Sequence, residues 1–239
     1  MTMWTTEEYQ AFWAEFGKEA DEVYRLFHEK ILYANQPVIG LRTPLLRKKA
    51  SEIAKDNGLH FLAVCEKDKY EKRLFYGLVA ASLKIPYESF LVHCDIYVNE
   101  YVDNWALCDV LCSSLKKVVK KNEADFFEHC EGYIASENPW AVRAGLVIFL
   151  GYYLNERYID EVLRLTDSVH TEFYYVRMAQ AWLLATAWAK ERECVMDYLS
   201  RTTLDEWTKG KFVQKCCESY RVSQEDKIWL REWRKNGYQ

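Results

Sequence analysis

Thr43-Pro44-Leu45-Leu46-Arg47-Lys48-Lys49-Ala50-Ser51-Glu52-Ile53-Ala54 opens with a capping residue and a first-turn proline. It continues with apolar residues three and four apart, Leu46, Ala50, Ile53 and Ala54, and the charges fall between them. This is the pattern of an amphipathic α-helix. The same grammar recurs along the chain. Thr5 with Glu8 reads as a capping box, Asn138-Pro139 and Ser223 with Asp226 mark further helix starts, and Pro86 fits the same role. Leu74, Leu78, Ala81 and Leu83 repeat the spacing, and no segment alternates convincingly with period two. Only 9 Gly and 4 Pro punctuate the chain, too few for the turns of a β-sandwich or barrel. The reading is all-α: about a dozen to fourteen helices of roughly 10 to 18 residues joined by short turns, stacked as antiparallel pairs in a solenoid. No linker interrupts it, so residues 1–239 are expected to form a single domain.

The 239 residues are 50% hydrophobic and 28% charged, with 32 basic against 36 acidic side chains and a formal charge of −4. That composition belongs to an ordinary folded domain and excludes disordered and fibrous classes. The start, Met1 to Phe16, has no long apolar run, and the longest apolar stretch, Ala141 to Leu154, is broken by Arg143 and too short to cross a bilayer. A cytoplasmic protein with no membrane partner is expected. Eight cysteines show no CxxC spacing and the five histidines cluster with nothing, so no metal site, no Ser-His-Asp arrangement and no cofactor is expected.

Asp103 to Lys121 is the most informative segment for function. Read as one helix of about 3.6 residues per turn, it turns Leu107, Val110, Leu111, Leu115 and Val118 to one side, the expected core face. Trp105, Asp109 and Lys116 share a stripe that points away from it. Lys116, Lys117, Lys120 and Lys121 continue toward the C-terminal end. An indole packed on the adjacent repeat, with Asp109 paired to a surface lysine, would explain the first group, and complementation of the helix dipole would explain the second. The competing reading is an exposed carboxylate beside an aromatic face and a basic patch for phosphate.

Four runs stand in one order: Gly40-Leu41-Arg42-Thr43-Pro44 with Leu46-Arg47-Lys48; Asn104-Trp105-Ala106-Leu107-Cys108-Asp109; Asn138-Pro139-Trp140-Ala141-Val142-Arg143; and Tyr174-Tyr175-Val176-Arg177-Met178-Ala179-Gln180-Ala181-Trp182. Together they resemble the AlkD-like DNA alkylation repair family, from about Gly40 to the Glu218-Ser219-Tyr220-Arg221 region. The resemblance implies a right-handed α-solenoid of HEAT-like or armadillo-like repeats that excises N3- or N7-alkylated purines from duplex DNA. Asp109, Trp105 and Trp182 match the family's catalytic set, and Arg143 would hold a backbone phosphate next to the lesion. The implied partner is duplex DNA containing alkylated bases, bound by a monomer that associates with the nucleoid.

The residues keep alternatives open beside these roles. Arg143 sits at the edge of an apolar helix face and suits a snorkelling side chain, and Trp182 shares a stripe with Tyr175, Met178 and Thr186 that suits packing between repeats. Arg42, Arg47, Lys48 and Lys49 form a basic group near a helix start, fit for phosphate contact, with Lys116 and Lys120, or for a solvated face. Ala106 stands where the family often has a second acid, and Ala185 where it tends to have an arginine. Three functions follow: an alkylpurine DNA glycosylase, a noncatalytic repeat protein binding damaged or branched DNA, and a protein-binding helical scaffold.

Overall fold

The computed structural model describes residues 4–238; Met1 to Met3, part of the stretch read above for a targeting segment, lie outside the described residues. No strand occurs among the described residues, and the contacts gather into two compact units, 1–118 and 119–239.

The first unit contains α1 (Thr6–Phe16), α2 (Glu22–Leu32), α3 (Thr43–Asp56), α4 (Gly58–Ala63), α5 (Tyr70–Ser82), α6 (Tyr87–Ile96) and α7 (Trp105–Ser114). α8 (Lys116–Lys121) spans the division. The second unit contains α9 (Glu123–Ile134), α10 (Pro139–Tyr152), α11 (Ile159–Asp167), α12 (Tyr174–Trp188), α13 (Arg192–Leu199), α14 (Glu206–Glu218) and α15 (Gln224–Lys235). Every second helix packs on the next: α3 on α5 and α5 on α7 in the first unit, α10 on α12 and α12 on α14 in the second. The intervening helices form the other layer, as α9 does against α10 and α15 against α14. This is the packing of a helical repeat protein, in which each pair buries an apolar face that it cannot bury alone.

The capping signals hold with local shifts. Thr5 and Glu8 form the reciprocal box, and Asn138 and Ser223 each accept a first-turn N–H. At α3 the capping position falls on Arg42, not Thr43; the Thr43 hydroxyl pairs with Tyr24 instead. Pro86 also sits one place before its helix, at the cap of α6. The helices run from 6 to 15 residues, so several are shorter than expected. The segment read as one helix from Asp103 to Lys121 is two, divided at the buried Leu115 (φ −85°, ψ 2°).

The core of the first unit is largely aromatic. Tyr9, Phe12, Trp13, Phe16, Phe61 and Phe75 pack ring against ring with centroids 5.3 to 6.2 Å apart. A π-helical turn, Tyr97–Tyr101, follows α6 and lays the fully buried Tyr97 ring against Gly77 of α5. A β-carbon at Gly77 would meet that ring at 2.6 Å, so only glycine admits it. Tyr97 then donates its hydroxyl to the Leu107 carbonyl, 3.1 Å away, and supports α7 from below.

In the same unit His28 is buried between the stacked ring of Tyr24 (4.7 Å) and the edge of Tyr70 (5.3 Å), and its Nδ1 has no hydrogen-bond partner. Burial holds its pKa below the ordinary 6.5. The folded state therefore binds fewer protons than the unfolded chain below about pH 6.5, and stability rises with pH up to that point and levels above it. The midpoint of chemical denaturation is expected to climb between about pH 5 and pH 7, and His28→Phe, which fills the slot without a titrating group, should flatten that climb. An unchanged slope in the variant contradicts the assignment.

Candidate functional site

α7 owes its position to its first turn. Asn104, almost wholly buried, turns its Oδ1 to the backbone N–H groups of Ala106 and Leu107 at 3.0 and 3.1 Å, while its own Nδ2 donates to Asp103. This side-chain cap satisfies two of the orphan donors of the helix start. Trp105 is the first helical residue, and Asp109 lies one turn on, so the pair shares a face. Both are half-buried and accessible to solvent. The indole Nε1 donates to the Ile31 carbonyl at the end of α2, 3.3 Å away, which fixes the ring. Ala106 faces the core, as do Leu107, Cys108, Leu111 and Cys112. An acid in place of Ala106 would thus be turned into an apolar layer, so this helix offers the one carboxylate, Asp109, beside Trp105.

Val110, expected on the core face, is half-exposed, and its carbonyl accepts from the arginine of another helix. Arg47 of α3 crosses to the C-terminal end of α7 and donates to the Ser114 hydroxyl at 2.7 Å, the Ser113 hydroxyl at 3.1 Å and the Val110 carbonyl at 3.5 Å. A cation at a helix C-terminus is favourably placed against the dipole. Arg42 pairs with Asp21 at 2.7 Å and lies 4.7 Å over the Tyr24 ring. Lys49 bridges to Glu52. Within the basic group at α3, Lys48 is exposed and joins no ion pair among the described residues. Lys116 and Lys120 are likewise exposed on α8. The interruption at Leu115 falls between Asp109 and Lys116, so the stripe expected to join Trp105, Asp109 and Lys116 does not run along one helix.

In the second unit α10 and α12 bring Arg143 and Trp182 onto neighbouring helices. Arg143 is only 5% exposed; its guanidinium donates to the Tyr175 carbonyl at 2.6 Å and lies 5.9 Å from the Tyr175 ring centroid. It is therefore covered, bonded in part to backbone, and does not snorkel to solvent. Trp182, two turns along α12 from Tyr175, is 38% exposed, the most open tryptophan of the expected set. Trp140 packs on Phe173 and Tyr175 at 5.3 and 5.2 Å. Ala185 is buried. Among the described residues no three His, Cys, Asp or Glu side chains gather as metal ligands, and no helix is long and apolar enough to cross a membrane.

A helical repeat protein whose first unit presents an indole and a carboxylate on one capped turn defines the class. The chain also matches the model of the DNA alkylation repair enzyme family over residues 10–234, and it belongs to that family. No curated protein matches it.

Two basic residues one position apart in sequence should respond oppositely to truncation. Arg47→Ala removes three bonds from a charged donor and is expected to lower unfolding free energy by about 1–3 kcal/mol, whereas Lys48→Ala should stay within about 0.5 kcal/mol. Equal denaturation midpoints for the two variants would remove the anchoring role from Arg47.

Proposed function

We propose that the protein is a DNA glycosylase that removes N3- or N7-alkylated purines from duplex DNA by hydrolysis of the N-glycosidic bond. The observation that carries this reading is the Trp105–Asp109 turn: a solvent-accessible carboxylate one helical turn from an indole whose orientation is held by a backbone carbonyl. Membership in the family supports DNA alkylation repair as the process.

The chemistry asks for little more. An alkylated purine is cationic, so its bond to C1′ is already weak, and the bonding pair leaves with the base, which departs neutral. Positive charge develops on the sugar as it goes. Asp109 stabilises that charge electrostatically and takes a proton from the water that attacks C1′. The Trp105 face favours a cationic sugar or base, and within the second unit the exposed Trp182 offers an aromatic face of the same kind. In this reading Arg143, Arg42, Arg47, Lys48, Lys116 and Lys120 supply positive field to the DNA backbone, and the exposure of Lys48, Lys116 and Lys120 supports direct phosphate contact by these three. The protein acts as a monomer on duplex DNA in the cytoplasm, without metal or cofactor.

The test is release of 7-methylguanine or 3-methyladenine from methylated duplex DNA. Asp109→Asn keeps the shape and removes the charge, and it is expected to slow excision about 100-fold or more while leaving duplex affinity and thermal stability near those of the wild type. Equal excision by the variant excludes the role given to Asp109. Binding of duplex without any release by the wild type would make the protein a noncatalytic binder of damaged or branched DNA.

A further inference from the structure

Asp103 stands immediately before the cap of α7 and uses its two carboxylate oxygens separately. Oδ1 accepts from the Asn104 Nδ2 at 3.0 Å, and Oδ2 lies 3.3 Å from the Arg73 guanidinium. Arg73, in the first turn of α5, reaches three acceptors with its planar fork. Its Nε donates to the Lys67 carbonyl at 2.8 Å, and its Nη1 donates to the Tyr101 carbonyl at 2.7 Å and faces Asp103. The side chains of Arg73 and Asp103 are 13% and 18% exposed, so the pair is screened less than one at the open surface.

The Asn104 amide gives this pair its consequence. A side-chain amide has an acceptor end and a donor end, and a half-turn about its last bond exchanges them. Only the oxygen end satisfies the N–H groups of Ala106 and Leu107; the half-turn would set donors against donors in an almost wholly buried place. Asp103 selects the productive end, because a carboxylate accepts from Nδ2 and has no hydrogen to offer the oxygen. Arg73 fixes that carboxylate, and the same nitrogen holds the carbonyl at the end of the π-helical turn. Gly77, four residues on along the same face of α5, admits Tyr97 at the start of that turn. α5 thus grips both ends of the segment that leads into α7.

We propose that Asp103 and Arg73 are positioning residues for excision, locking the Asn104 amide, and through it the first turn of α7, in the orientation that presents Trp105 and Asp109 together. Both act through Asn104, and neither is called on to touch the DNA. The inference rests on the reading of Asp109 as the charge that stabilises the sugar.

The test uses the full chain with Asp103→Asn and Arg73→Gln, each alone and combined with Asp109→Asn, in single-turnover release of 7-methylguanine from saturating duplex. A neutral amide at position 103 has one oxygen for two donors, so it serves Asn104 or Arg73 and not both. Each single variant is expected to slow excision about 10-fold, the effect of a small misplacement, with duplex affinity within about 2-fold of the wild type. In the Asp109→Asn background the same changes should cost less than about 2-fold, because no carboxylate is left to misplace. A loss of folded protein would instead scale both backgrounds alike. Hydrogen exchange at the Ala106 and Leu107 amides should quicken in both variants, while exchange at Trp13 in α1 stays as in the wild type. Wild-type excision in both variants, or equal fractional losses in the two backgrounds, overturns the positioning role and leaves the glycosylase reading standing. A wild type that releases no base overturns the glycosylase reading and the positioning role together.

Discussion

Asn104 holds the first turn of α7, and the chemistry argued for this protein depends on that turn. Its Oδ1 accepts two backbone N–H groups, Tyr97 supports the Leu107 carbonyl from inside, and the Trp105 indole is pinned to the end of α2. Arg47 fastens the opposite end of the helix. A helix held at both ends presents its side chains in one orientation, and such preorganisation is what a charge-stabilising site requires. Gly77 belongs to the same device, because any larger residue would expel Tyr97 from beneath α7.

The basic side chains expected at the candidate site divide by chemistry as well as by place. Arg42, Arg47 and Arg143 each donate to carboxylates, hydroxyls or backbone carbonyls within the protein, work suited to a planar fork of donors. Lys48, Lys116 and Lys120 keep their ammonium groups in solvent. A chain with a formal charge of −4 can still attract a polyanion this way, because attraction follows the local field and not the total.

Much of the architecture was legible before any coordinates. Capping residues and spacings of three and four act within a few residues of themselves, so Thr5, Asn138 and Ser223 announce their helices and α3 and α5 follow from their apolar stripes. The Trp105–Asp109 relation is legible for the same reason, since one turn separates them. The division at Leu115 was not, because a helical wheel assumes the continuity that is in question; Lys116 was read on the helix of Asp109 and stands at the start of the next one.

The fate of each charged side chain lay beyond the sequence. Arg47, Lys48 and Lys49 are adjacent and nearly alike in composition, yet one is bonded across to α7, one is open to water and one bridges its own helix. Arg143 stood at the rim of an apolar face and is covered, with one of its bonds to the Tyr175 carbonyl, 32 residues away. Helix, cap and face are properties of neighbouring residues, settled by backbone hydrogen bonds and periodicity. Partner and burial are settled only when distant helices pack, because desolvation and hydrogen bonding depend on what the fold brings alongside.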